Sequence, residues 1–388
     1  MPKKKTIIFI HQNFPGQYKH LAPLLAKSKK YDVHSLSLRN DTSEGVKHHK
    51  YTLVRGSTDG IHPLAQEFEA KIVRAESLSK YAYTMKEKGI NPDLVIAHPG
   101  WGESLFIKNI WPDTKLISYM EFFYYSSNSD VDFDNEFIYE QKFLANKLTA
   151  RNSPILTDLL NCDKVVTPTQ FQANHAPEIF KNKIEVIHEG IDTKSLIKKE
   201  DLNVKINQFQ LNSKNKIVLF IARNLEPYRG YHSFIRSVPK ILKKHPDAFI
   251  LIVGSDGVSY GAPPPKGKGT FKDIFFKEVQ DSISIELKKV FTERVLFLGT
   301  IKYEDLIKVI QISTVHVYLT YPFVLSWSLL ESMSCESTIV ASDTEPVLEV
   351  IENNKTGLLV NFFDYDDISD KVSSVLSEPE EFSEIGKN

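Results

Sequence analysis

The feature that most restricts how this chain can fold is a rhythm of short apolar runs set between amphipathic stretches, and the chain plays it twice. In the first half the runs are TIIFI (6–10), DVHSLSL (32–38), DLVIA (93–97), KLISY (115–119), KVVTP (164–168) and IEVIH (184–188). Each is too short for a buried helix and reads as a strand covered on both faces. Segments such as QYKHLAPLLAKS and LAQEFEAKIVRAESLSKYAYTMKEK lie between them with helical spacing, so β and α alternate over one parallel sheet. A polar, lysine- and asparagine-rich stretch, 191–216, interrupts the rhythm. It then restarts with KIVLFIAR, DAFILIVGSD, RVLFLG, VHVYLT, STIVASD and TGLLVNF. The expected fold class is α/β, with two doubly wound parallel-sheet domains, 1–205 and 206–388, facing an interdomain cleft. At 388 residues the chain exceeds one ordinary core, which agrees with two domains. Such sheets bind ligands at the carboxyl ends of their strands, so functional residues are sought there.

Composition narrows the partners. A hydrophobic fraction of 41% and a charged fraction of 25% belong to a globular protein, and a formal net charge of -1 gives no general attraction for nucleic acid. The two cysteines, Cys162 and Cys335, form neither a disulfide framework nor a zinc cluster and point to a reducing, cytoplasmic setting. The apolar run after MPKKK is too short for a signal peptide, and no run reaches membrane-spanning length. The triplet Lys3 to Lys5 reads as a solvated tail, with contact to anionic lipid as the alternative.

Local punctuation adds detail. A helix is expected from about Gly230 to His245, with Phe234, Ile235, Val238, Ile241 and Leu242 on its apolar face and a kink at Pro239. EPVLEVIENNKTG predicts a second helix, opened by Asp343 or Thr344 and Pro346 and stopped at Asn353 and Asn354. APPPKGKG (262–269) reads as a long loop.

Three groups carry the chemistry. In YPFVLSWSLLESMSC a strand is followed by a loop and a helix starting near Ser326 and Trp327, whose free amides suit an anion. Glu331, one turn deeper, suits two ribose hydroxyls; a buried glutamate paired to a basic neighbour is the alternative. In IARNLEPYRGYH, Arg223 ends a strand and Arg229 precedes the next helix, and two forked guanidiniums match the oxygens of a diphosphate.

From KIVLFIARNLEPYRGYHSF to EVIENNKTGLLV, the second half resembles the retaining glycosyltransferases of family four, which have the GT-B fold of two Rossmann-like domains. The resemblance implies that Arg223, and Arg229 in place of a lysine, grip the donor diphosphate. It places Glu331 on the donor ribose as the second glutamate of an E-x7-E motif, and Ser326 and Trp327 by the phosphates. The first glutamate of that motif falls on Phe323, beside the donor sugar, and Glu336 replaces a usual glycine. In the first half, the loop HQNFPGQYKHL offers Gly16 for close approach to phosphate or simply for a turn. His98, at a strand end, and Glu121, in KLISYMEFFYY, are two candidates for the reaction centre. The family's usual returning helix would follow SEIGKN, so the C-terminus reads as shortened.

The activity implied is transfer of a sugar from a nucleotide-diphosphate sugar to an acceptor hydroxyl with retention. No cofactor and no metal are expected; the nucleotide sugar is a substrate. The acceptor is a saccharide or a lipid-linked one, in polysaccharide or glycolipid assembly, with peripheral contact at the inner membrane face as an option. Rival readings remain. Phe323 permits a GT-B module that binds nucleotide sugar without turnover. Gly100, Gly102 and Glu121 imitate part of a dinucleotide fingerprint, but Leu105 stands at the third glycine. Asp130 and Asp132 form a D-x-D pair that would suit a metal, though a solvated acidic loop is the plainer reading.

Overall fold

The structure, a computed structural model, describes residues 4–137, 143–199 and 201–388. The chain divides into two compact units, which are described separately. The first comprises residues up to 132 together with 138–190; the second comprises 191–388 together with the short segment 133–137.

In the first unit seven strands form one sheet: β1 Lys5–Ile10, β2 Tyr31–Ser37, β3 Lys47–Lys50, β4 Leu94–Ala97, β5 Lys115–Tyr119, β6 Lys164–Thr167 and β7 Ile184–Val186. Their order is β3-β2-β1-β4-β5-β6-β7, with every pairing parallel. Side chains of β1 alternate between two cores. Ile8 and Ile10 join Leu36, Val95 and Leu116 on one face, while Ile7 and Phe9 join Phe14, Tyr18 and Val33 on the other. That two-sided burial is why the strand is apolar throughout. The sequence gives no apolar sign of β3, KHHK, because it is an edge strand with its lysines outward. Side chains secure it: His34 Nδ1 lies 2.8 Å from His49 Nε2, and Ser35 Oγ lies 2.9 Å from His48 Nδ1.

The second unit starts earlier than the polar stretch suggests. Residues 191–205 belong to it because Leu196 is buried in a cluster with Ile206, Leu211, Ile217 and Leu219. Within the same stretch lies an antiparallel hairpin, β8 Val204–Ile206 and β9 Phe209–Leu211, turned at Asn207 with φ +54°. The main sheet comprises β10 Ile217–Asn224, β11 Phe249–Ser255, β12 Val295–Gly299, β13 Val315–Tyr318, β14 Thr338–Ser342 and β15 Leu358–Val360. Its order is β12-β11-β10-β13-β14-β15, again parallel. Both sheets therefore reverse direction of growth beside their first strand, between β1 and β4 and between β10 and β13.

The helix Tyr231–Lys244 buries the five apolar residues expected of it and runs as one helix through Pro239. Burial on both sides of the proline outweighs the one missing backbone donor. The helix expected after Thr344 is shorter than its pattern suggests. It spans only Glu345–Leu348, since Ile351 turns into the core and Asn354, with φ +61°, leads the chain back toward β15. Segment 133–137 is anchored by Asp134, whose Oδ2 accepts from the Tyr321 hydroxyl at 2.8 Å and lies 3.0 Å from His232 Nε2. Glu136 meets Arg236 in a two-pronged ion pair at 2.6 and 2.8 Å.

Candidate functional site

In the second unit the β10/β13 switch gathers most of the expected donor-side residues. Arg223, at the end of β10, is exposed, and its guanidinium has no hydrogen bond or ion pair among the described residues. The chain then passes Glu226 and turns at Gly230, with φ +69°. A Cβ there would lie 2.3 Å from Leu319 Cβ, so only glycine lets the helix begin against the end of β13.

Arg229 is only 6% exposed. Its Nη1 donates to Thr320 Oγ1 at 3.0 Å and to the Val324 carbonyl at 2.8 Å, tying down the loop that follows β13. Above it lie two rings, Tyr260 at 5.0 Å and Phe323 at 5.8 Å from the guanidinium carbon. Phe323 is itself buried against Tyr260 and Tyr228, with centroids 4.9 and 5.6 Å away. The two arginines thus differ: one is presented to solvent, the other is built in.

Ser326 caps the helix Trp327–Ser334, its Oγ accepting from Ser328 N at 3.4 Å, while its own amide donates to the Tyr318 hydroxyl at 2.8 Å. Glu331 is buried on that helix. Its Oε1 accepts from the Tyr303 hydroxyl at 2.8 Å. Burial, then this bond, pushes the Tyr303 phenol well above its usual range.

In the first unit the β1/β4 switch holds a different set. His11 follows β1 and is buried. Gly16 has φ +45°, and a Cβ on it would stand 2.7 Å from the His11 ring, so both backbone and neighbour require glycine. Desolvation, followed by the charge of His98, lowers His11 to about 4. Asn13 N donates to its Nδ1 at 3.0 Å, leaving the neutral ring's proton on Nε2. His98, after β4, accepts from Gly100 N on Nδ1 at 3.1 Å, and its Nε2 faces Glu121 Oε2 at 3.5 Å. The two candidates for the reaction centre are therefore neighbours. Around them the rings of His11, Trp101 and Tyr119 stand 5.7, 5.5 and 6.0 Å from the His98 ring. The Tyr119 hydroxyl donates to Glu189 Oε1 at 2.9 Å.

A buried acidic group lies in the same unit. Asp158 is fully buried; desolvation raises it to about 6 despite hydrogen bonds that include Ser118 Oγ at 2.9 Å. Glu103, which accepts from the Tyr51 hydroxyl at 2.8 Å, is also raised by burial.

Comparison with known proteins matches a stretch of each unit. A sequence profile described as "Glycosyl transferase family 4 group" matches residues 29–196, and one described as "Glycosyl transferases group 1" matches 203–388. The chain belongs to the family-four glycosyltransferases. Among curated relatives, a D-inositol 3-phosphate glycosyltransferase of Mycobacterium sp. (strain JLS) is 22% identical over 218 residues, 55% of this chain and 45% of that protein. Spore coat protein SA of Bacillus subtilis is 21% identical over 64% of each chain. The matched part thus spans about half the length of the first of these relatives. Two solved structures share the GT-B fold over 99% of this chain. Sucrose-phosphate synthase from Thermosynechococcus elongatus has a TM-score of 0.70 at 16% identity, covering 92% of that chain. Anabaena HepE, solved with UDP and glucose, has 0.63 at 14%, covering 93%.

Within this family-four chain the rival motifs find other employment. Gly102 has φ +93°, and a Cβ there would lie 2.6 Å from the Lys71 carbonyl, so it serves close packing. Asp132 accepts from the amides of Asn128 and Ser129 at 2.8 and 2.9 Å, and Asp130 from the Ser129 hydroxyl at 2.7 Å, so the D-x-D pair shapes its own loop. Sequence reasoning passed over His11, Glu226 and Tyr260. His11 had a signal, its place directly after the first strand. Glu226 and Tyr260 had none, because their partnership across a long loop exists only in three dimensions.

Proposed function

We propose that this chain moves a sugar from a nucleotide-diphosphate donor to an acceptor hydroxyl, with retention at the anomeric carbon. The observation that carries this reading is the exposed Arg223 at the carboxyl end of β10, in the same switch region as the helix start at Ser326 and the buried Glu331. A guanidinium and a helix start suit a diphosphate, and a buried carboxylate one turn deeper suits a ribose. In the reaction, negative charge grows on the leaving phosphate. Arg223 stabilises it once drawn onto the phosphates, and the built-in Arg229 adds positive potential. Trp327 and Phe323 border the same region. In the first unit, His98 and Glu121, beside His11, are assigned to the acceptor's side, where they orient a saccharide or lipid-linked hydroxyl whose proton passes to the leaving phosphate as it bonds to the anomeric carbon; Gly16 remains the candidate for backbone approach to the donor phosphates.

UDP is bound in the HepE structure, which makes UDP-sugars the first donors to test. Calorimetry with UDP, followed by a transfer or donor-hydrolysis assay with UDP-sugars, checks the proposal. Loss of UDP binding in Arg223→Ala, with folding intact, is the expected result; undiminished binding overturns it. One observation favours a second reading, a binding module without turnover: Phe323, where the family has a glutamate, is sealed under Tyr260 and Tyr228. Tight nucleotide-sugar binding with neither transfer nor hydrolysis would decide for it. No helix among the described residues is long and apolar enough to cross a membrane.

A further inference from the structure

The cover over Arg229 is built by a loop whose hold is specific. Between β11 and the helix Phe271–Ser282 the chain runs through residues 256–270, a stretch with three consecutive prolines and four glycines. Near its start, Ser259 N and Tyr260 N donate to the Glu226 carboxylate at 3.1 Å. Glu226 shows no exposed surface, and burial raises its carboxyl against the pull of those amides. Asn224 Nδ2 adds a bond to the Ser259 hydroxyl. A clamp at residues 224–226 thus sets one short piece of an otherwise glycine- and proline-rich loop, and the side chain it aims is Tyr260.

Tyr260 is half-buried, with its ring over the Arg229 guanidinium, 5.0 Å from centroid to guanidinium carbon. Arg229 spends Nη1 on Thr320 and Val324. Its remaining forked donors are those a phosphate would take, and the aromatic cover stands over them. We propose that Tyr260 is a place-holder for a donor phosphate on Arg229, displaced when a nucleotide diphosphate binds, and that Glu226 is the positioning residue that returns it. The cover gives the face of this buried cation an aromatic partner in addition to its bonds to Thr320 and Val324. The donor must then compete with a cation–π contact, which lowers its apparent affinity.

This inference rests on the proposed reading of the donor site, and the experiment separates the two. UDP, GDP and ADP are titrated calorimetrically into the wild-type chain, and the tightest of them and its monophosphate are then titrated into Tyr260→Ala, Tyr260→Phe and Arg223→Ala. Tyr260→Ala is expected to bind the diphosphate about fivefold more tightly, the factor that corresponds to losing about 1 kcal/mol of competing contact, with a smaller gain for the monophosphate. Tyr260→Phe keeps the ring, disturbs packing least and is expected to show a partial gain. Weaker or unchanged diphosphate binding in both Tyr260 variants overturns the place-holder and makes Tyr260 a direct donor contact or mere packing. Loss of binding in Arg223→Ala alongside that result leaves the donor site standing and removes only this inference. Absence of nucleotide binding in every form removes both.

Discussion

The two switch points share a backbone plan and almost nothing else. Both sheets place the first strand beside the fourth and open a loop at the carboxyl ends. At β10 and β13 the loops hold two arginines, one exposed and one enclosed by aromatic rings, with a helix start and a buried glutamate. At β1 and β4 they hold two imidazoles and an indole, met by a carboxylate that follows β5, in a unit that also buries two acids. Strand order fixes where a ligand can sit, and the side chains on the loops fix what it can be. On the proposed reading, one unit receives the donor diphosphate and the other the acceptor.

The sharpest way to break the contrast is Arg223→Ala. If positive charge at the β10 end serves the donor, kcat/KM falls at least a hundredfold, about 3 kcal/mol, while the thermal midpoint stays put because the side chain is exposed. Equal activity would reduce the second switch point to a structural turn.

Asp158→Asn tests the buried acid of the first unit. Its folded value of about 6 lies above the ordinary 3.8, so between about pH 4 and 6 the folded chain keeps a proton that the unfolded chain releases. Wild-type stability contributed by this group therefore falls as pH rises through that window. The variant is expected to gain up to about 3 kcal/mol relative to wild type at pH 7 and little at pH 4, read by urea unfolding at both. His11, held at about 4, acts in the opposite sense between pH 4 and 6.5 and cancels when variant and wild type are compared at the same pH.

Gly16→Ala probes the tight turn beside His11. Positive φ and a 2.7 Å contact together are expected to cost about 2 kcal/mol of stability. Adding His11→Ala should return only the contact's share, so a double-mutant cycle with no coupling would show that the imidazole does not press on the turn.

The smallest effect is assigned to Glu331→Gln, which keeps the bond from Tyr303 in shape but removes the charge. Affinity for UDP is expected to drop about tenfold, roughly 1.4 kcal/mol, while affinity for inorganic pyrophosphate is unchanged. A loss of both would move Glu331 from the ribose to the phosphate.

The sequence alone determined the two sheets and the strand ends at which to look, because a strand buried on both faces must be apolar along its whole length, as TIIFI and KIVLFIAR are. It also marked Gly16, Arg223 and Glu331 through residue types that stand out in such surroundings. Polar edge strand KHHK and the hairpin within the 191–216 stretch escaped that logic, since an edge needs no apolar signature and a three-residue strand has no period to read. The tertiary structure alone decided that Arg229 lies beneath Tyr260, that Glu226 grips the loop which brings the ring there, and that His98 faces Glu121. Each is a meeting of residues 23 or more positions apart, or of a side chain with amides 33 away, and such proximity is set by packing and leaves no trace in local pattern.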